Sequence, residues 1–359
     1  MGSMLGLGMT HFPPLAWQDA HMADILKALV GAPGVPASFK DRSNWPREML
    51  AELADDGGLS AAAAHRAAMV AEFRRMRTRL DEFRPDFVVI FGDDQYENFR
   101  EDLVPPFCVL ALDEIEIRPF ASGAAGMRPN VWGEPAEQSF RYAGHRAGAK
   151  HLARGLLERG VDVPYAYRTL HHDGLAHAFA NTLLFLDYDR RGFPHAVVPF
   201  QVNCYGATLL ATRGGFGHLL REPAGESVRA EPDPPAPAPW RCMEVGARIA
   251  ETFLESPWRV ALIASSSWSH AFLTARTGYL WPDHASDRRL VEALRAGDYE
   301  TWRKTPLAEL EAAGQHELLN WYVLLGAMER LGRRARVEAW IESWIFNSDK
   351  CFAWFPESR

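Results

Sequence analysis

Hydrophobic residues in this chain gather into short continuous runs rather than alternating stripes. Met4-Leu-Gly-Leu-Gly-Met9, Phe87-Val-Val-Ile-Phe91 and Val260-Ala-Leu-Ile-Ala264 are the clearest. Apolar runs of this length, bounded by polar turns, read as strands covered on both faces. Phe107–Leu112, Val163–Tyr167 and Ala196–Asn203 are further strand candidates. Between them the spacing predicts helices, the first capped by Ser60 and running to Phe83, the others at Ser139–Arg159, Arg241–Leu254, Ser286–Ala296 and Leu307–Leu331. Strands alternating with helices predict an α/β fold with a mixed central sheet and helices on both faces. The expected organisation is a single catalytic domain over 4–359, with a helical insertion at about 40–82. Prolines at 223, 232, 234, 235, 237 and 239 make 222–239 a surface loop.

Three strand ends carry polar, chemically competent residues. The first run leads into Thr10-His11-Phe-Pro-Pro14, the second into Gly92-Asp-Asp-Gln-Tyr-Glu-Asn98, and the third into Ser265-Ser-Ser-Trp-Ser-His270. Open α/β sheets place their chemistry outside the carboxyl ends of strands. His11, Asp94 or Gln95, and His270 are therefore candidate site residues. The loop His171-His-Asp-Gly-Leu-Ala-His177 adds imidazoles. Glu317 opens an apolar helical segment, where a carboxylate either favours the helix dipole or points inward and needs a partner.

Composition narrows the functional classes. The 359 residues carry a formal charge of −7 and no basic stripe, which argues against nucleic acid as a partner. No apolar run reaches the ~18 residues of a membrane span, and no basic-then-apolar leader is visible. The four cysteines, Cys108, Cys204, Cys242 and Cys351, lack metal-type spacing and read as reduced thiols of a cytoplasmic protein. Twelve Trp and 20 Phe point first to core packing and a subunit interface, and second to an aromatic-lined pocket. Walker loops, Gly-x-Ser-x-Gly elbows, His-Glu-x-x-His helices and Gly-rich cofactor fingerprints are absent.

Taken in order, the segments resemble the class III extradiol ring-cleavage dioxygenases, the family of the protocatechuate 4,5-dioxygenase catalytic subunit. Thr10-His11-Phe-Pro-Pro-Leu15, the 85–99 strand and turn, Gly174-Leu-Ala-His177, Val198-Pro-Phe-Gln-Val-Asn203, Ala264-Ser-Ser-Ser-Trp-Ser-His270 and Glu317-Leu-Leu-Asn-Trp-Tyr-Val-Leu-Leu-Gly-Ala327 carry the likeness. Each is weak alone; their order along nearly the whole chain is specific. The resemblance implies a single-domain fold of that type and a cytoplasmic oxidoreductase of aromatic compound metabolism. It implies a non-haem Fe(II) site, or another divalent metal, acting on a catechol-like aromatic and O2, with a homodimer as the expected assembly. His11 would be a metal ligand and Glu317 the carboxylate ligand. His270 would be the acid/base residue, with His177 beside the substrate. The extra helices at about 40–82 are expected to cover the pocket.

Gln95 stands where that family places a second histidine ligand. Three readings stay open: Asp94 ligates instead, Gln95 ligates through its carbonyl, or the site is metal-poor and the scaffold serves binding or hydrolysis. The sequence leaves undecided which of Asp93, Asp94 and Gln95 points inward.

Overall fold

The computed structural model describes residues 2–121, 124–172, 174–221 and 232–357. Its strands are β1 (Ser3–Met9), β2 (Phe87–Asp93), β3 (Phe107–Leu110), β4 (Glu114–Ile117), β5 (Phe140–Ala143), β6 (Tyr165–Ala166), β7 (Ala196–Val202), β8 (Arg259–Ser265), β9 (Arg336–Ile341) and β10 (Lys350–Phe355). Eight of them form one mixed sheet in the order β6-β3-β7-β2-β8-β1-β10-β9, and β4 pairs with β5 separately. The middle strands β7, β2, β8 and β1 are mutually parallel, so their carboxyl ends open on one side. β10 runs antiparallel to β1, and β3 antiparallel to β7.

Strand periodicity divides the core between two faces. Leu5, Leu7, Val88, Ile90, Ala261 and Ile263 join the apolar cluster that includes helices Leu59–Phe83 and His177–Leu186. Phe87, Val89, Phe91, Val260 and Leu262 join the opposite cluster, with helices Arg146–Glu158, Pro239–Leu254 and Leu319–Arg330. Burial on both sides is why these strands read as continuous apolar runs. The α/β class and the mixed sheet expected from the pattern are what the structure has. Most aromatic mass is core: Trp268, Trp302 and Trp321 are fully buried and pack in edge-on contacts. No helix among the described residues is long and apolar enough to cross a membrane.

Several elements differ from expectation. Residues 139–159 are not one helix, because Phe140–Ala143 pairs as a strand before helix Arg146–Glu158 starts. The expected helix Leu307–Leu331 is broken. Gly314 takes φ +71°, its N–H bonds Glu311 O at 3.0 Å, and the Gln315 N–H bonds Leu310 O at 2.8 Å. That crossed pair is a Schellman closure, and the chain restarts as helix Leu319–Arg330. The long helix begins at Leu59 rather than after a Ser60 cap; Asp56 accepts the N–H groups of Gly58, Leu59 and Ser60. β9 and β10 were not anticipated. Of the proline-rich stretch, 222–231 lies outside the described residues; 232–238 has no regular structure, and Pro239 occupies the first turn of a helix.

Two glycines let helices Pro239–Leu254 and Leu319–Arg330 touch backbone to backbone. A Cβ on Gly246 would meet Val323 O at 1.9 Å, and one on Gly326 would meet Met243 O at 1.9 Å. Gly326→Ala is therefore expected to lower stability by ~1–3 kcal/mol, read as a shifted denaturant midpoint. Gly31→Ala, where the added carbon meets nothing within 4 Å, should change stability by less than about 1 kcal/mol. Equal effects at both positions would contradict the close approach.

Candidate active site

The carboxyl ends of β1, β2 and β8 deliver side chains to one point. His11 follows β1 and Asp93 ends β2, while Ser267 and His270 follow β8. Glu317 enters from the break between helices, in the short turn His316–Leu318. All are almost wholly buried. His11 Nε2 lies 3.3 Å from Glu317 Oε2 and 4.0 Å from Asp93 Oδ1. The other ring nitrogen, Nδ1, meets Ser265 Oγ at 3.0 Å, and the Asn181 amide donates to the His11 carbonyl at 3.2 Å. The ring is thus fixed from behind with Nε2 facing the acids.

Glu317 is the hub. Oε1 accepts from the Tyr205 hydroxyl at 2.8 Å and from Gln95 Nε2 at 3.2 Å, and Oε2 accepts from the Ser267 N–H at 3.2 Å. His270 Nε2 stands 3.3 Å from Oε1. Burial works against the Glu317 charge, yet His270 and His11 hold its carboxyl well below the usual carboxylate range. Asp93 behaves oppositely. Burial, followed by repulsion from Glu317, pushes it up to about 6, even though Gln95 Nε2 donates to Oδ2 at 3.1 Å. Asn320 donates to Oδ1 at 3.3 Å.

Gly314 makes this arrangement reachable. Its carbonyl accepts the His270 N–H at 2.8 Å, and a Cβ there would stand 2.5 Å from the His270 carbonyl. The helix break and the His270 turn are therefore locked together at Gly314, one residue before Gln315 and three before Glu317.

Of the sequence candidates, the structure brings His11, Glu317, Gln95, His270 and His177 to one cavity and turns Asp94 away. The Asp94 carboxylate accepts the N–H groups of Glu97, Asn98 and Phe99 at 2.9, 2.7 and 3.3 Å, closing its own loop. Asp93 takes the inward place instead. Period-two parity carried that signal: Asp93 follows Val89 and Phe91 on the face of helix Leu319–Arg330. Gln95 bridges both acids through its amide and also donates to Tyr205 at 2.7 Å. Tyr205 and Asn320 had no sequence signal of their own; each is recruited by tertiary contact.

His177 opens a helix with Nδ1 at 2.9 Å from Glu97 Oε2, and its N–H bonds Oε1 at 3.0 Å. Its ring stands edge-on to His11, with centroids 5.2 Å apart. Burial disfavours its charge, but Glu97 and the more distant Asp93 and Glu317 outweigh burial and raise it to about 9. For His270 burial outweighs the neighbouring Glu317 carboxylate and lowers its proton affinity below the ordinary value. His270 Nδ1 is buried with no hydrogen-bond partner among the described residues.

These residues face a cavity of about 420 Å³ whose walls are Pro13, Pro14, Trp17, Ile25, Met127, Phe216 and Phe272. None of residues 40–82 lines it, whereas Trp17 and Ile25 do. The donors suit a divalent cation. An ion held at ~2.1 Å from each ligand spaces neighbouring donors about 3 Å apart, close to the His11–Glu317 separation. His11, Asp93 and His177 also offer one donor atom each within 4.8 Å of one another. Two buried acids in contact with imidazoles are costly without such a charge.

The family described as the catalytic LigB subunit of aromatic ring-opening dioxygenase matches residues 233–353, the segment that holds His270 and Glu317. A 2,3-dihydroxyphenylpropionate/2,3-dihydroxicinnamic acid 1,2-dioxygenase of a Rhodococcus species is 27% identical over 290 residues, 74% of this chain and 83% of that one. The protein of the same name from Rhodococcus jostii is 27% identical over 73% of this chain and 82% of its own. That from Burkholderia vietnamiensis is 29% identical over 74% and 83%.

The His177–Glu97 pair has a defined pH signature. A histidine raised from 6.5 to about 9 contributes stability that is complete below 6.5 and is lost as pH climbs through 9. In metal-free protein the His177 imidazole resonances should titrate near 9, and Glu97→Gln should bring the transition to 6.5 or lower. Wild-type titration at or below 6.5 would refute the pairing.

Proposed function

We propose, from the premise that this chain is a relative of the class III extradiol ring-opening dioxygenases, that it opens the ring of a catechol-like small aromatic with O2 at a divalent metal, Fe(II) being the ion whose chemistry fits. The observation that carries the reading is the pair His11 Nε2 and Glu317 Oε2, 3.3 Å apart at the floor of an apolar cavity with Asp93 beside them. One imidazole and two carboxylates stand in place of the two imidazoles and one carboxylate usual for oxygen-activating Fe(II), and still form an anionic N/O donor set suited to a divalent cation. It favours a bound cation over a metal-free binding role.

His11, Glu317 and Asp93 would hold the ion, with Asp93 in the role first expected of Asp94. When bound, the metal neutralises the catecholate and gives electrons a route to O2. The remaining work belongs to the chain. Gln95 ties Asp93 to Glu317 and keeps the two acids at one spacing. Ser265 and Asn181 orient His11, a second layer that fixes which nitrogen faces the ion. Trp17, Ile25, Phe216 and Phe272 exclude water and hold the aromatic plane. His270 and His177 have environments that push their affinities for protons apart, which separates base from acid. His270, lining the cavity and with its proton affinity lowered by burial, is the group to take the proton of a catechol hydroxyl. His177, charged through Glu97, is the donor toward negative charge on the substrate oxygens.

Protein reconstituted anaerobically with Fe(II) and then given a panel of catechols in air should consume one O2 per catechol and form a yellow ring-opened product. No uptake with any catechol by fully loaded protein would sink the proposal. Glu317→Gln should weaken Fe(II) binding by about 100-fold or more in a chelator competition. Gln95→His, which puts an imidazole between the same two acids, should tighten it by about tenfold. An unchanged affinity in the Gln95 variant would show that position 95 does not face the ion.

A further inference from the structure

One cationic side chain at the cavity mouth is unused by this chemistry. Arg213 is the one lysine or arginine among the described residues lining the cavity. Glu97 is matched to His177, and Glu317 to His11 and His270. Arg213 makes no side-chain hydrogen bond and no ion pair within 4.0 Å among the described residues. Its guanidinium stacks on Tyr96, 4.4 Å from the ring centroid. Glu101, the nearby acid, is engaged by the Tyr96 hydroxyl. The fork of donors is held against a π face with Glu101 as its electrostatic neighbour, and because the Glu101 oxygens are engaged by Tyr96 the guanidinium N–H groups are open to an anion at the mouth.

Its placement is fixed by the backbone. Arg213 and Gly214 both adopt left-handed conformations, with φ of +51° and +65°. The turn presses on the site so closely that a Cβ on Gly214 would stand 2.5 Å from Gln95 Cγ. Gln95 in turn touches Glu317. One side chain, Gln95, thus separates the Arg213 turn from the acid hub, and Phe216 lines the same cavity.

We infer that Arg213 is a specificity-determining residue, which binds a carboxylate at the end of a short apolar arm on the catechol ring. The ring oxygens go to the acid–imidazole floor, the arm lies along Phe216 and Phe272, and the carboxylate pairs with the guanidinium at the mouth. The inference rests on the ring-opening proposal and adds the substrate class to it. A charge-assisted pair of this kind is the strong class of hydrogen bond and gives orientation as well as affinity.

The test compares 3-(2,3-dihydroxyphenyl)propionate with the neutral 3-propylcatechol in wild type, Arg213→Gln and Arg213→Lys. Wild type should prefer the carboxylate, with a KM that rises with salt. Arg213→Gln should raise KM for the carboxylate about tenfold or more, with KM for the neutral catechol changed less than about twofold. Arg213→Lys should fall between. Equal losses on both substrates, or none on either, would overturn the assignment. A second readout keeps the two proposals apart. Binding of 3-phenylpropionate, which has no ring hydroxyls to cleave, is followed by tryptophan fluorescence, Trp17 lining the cavity. Protein that cleaves no catechol but binds 3-phenylpropionate more weakly as Arg213→Gln loses the ring-opening reading and keeps the anion site. Protein that cleaves catechols but binds 3-phenylpropionate equally with and without Arg213 keeps the reaction and loses the site.

Discussion

Glu317 is a carboxylate with 1% of its surface exposed, and the architecture around it is organised to hold that charge. Two histidines, a tyrosine hydroxyl, a glutamine amide and a backbone N–H converge on its two oxygens. Removing an ionised carboxyl from water is expensive unless every lone pair finds a partner. The partners come from 11, 95, 205, 267 and 270, so a chain that failed to bring these segments together would leave the charge uncompensated. This couples formation of the site to formation of the sheet.

The sheet achieves the convergence through polarity. Four parallel strands share one open end, and the residues just beyond them come from distant parts of the sequence. Face parity adds a second constraint. β1 sends His11 out on the side of helix His177–Leu186, whereas β2 sends Asp93 out toward helix Leu319–Arg330. Imidazoles from one layer and acids from the other meet at the strand tips. The Schellman closure at Gly314 completes this by ending one helix early enough for Glu317 to enter between layers. A continuous helix over the same residues would carry Glu317 past the site.

Around this floor the loops have separate duties. Asp94 and Asn98 stabilise the 94–99 turn and fasten it to the segment before His177, through Asn98 bonds to Gly174 and Ala176. Glu97, presented by that turn, sets the protonation of His177. A residue not expected to matter for His177 thereby decides its charge. Neighbouring His270, which shares Glu317 with His11, is lowered below its ordinary value because burial outweighs that acid. Two histidines facing one cavity have their proton affinities shifted in opposite directions by their surroundings.

What the sequence determined by itself was the inner parallel strands β1, β2, β7 and β8 and their polar tips. Buried parallel strands must be apolar throughout, so their ends are visible as abrupt changes in polarity, and His11, His270 and the 93–95 cluster stood out there. Glu317 was visible as an acid at the head of an apolar helix. The tertiary structure decided which acid of Asp93 and Asp94 turned inward, because that depends on backbone N–H groups of the following turn capturing Asp94. It also decided the helix break, since Gly314 is stabilised by its contact with His270 as much as by its own conformational freedom. The cavity walls and Arg213 belong to the same class. They are set by contacts between segments remote along the chain, and no local pattern of polar and apolar residues encodes a contact whose other half lies a hundred residues away.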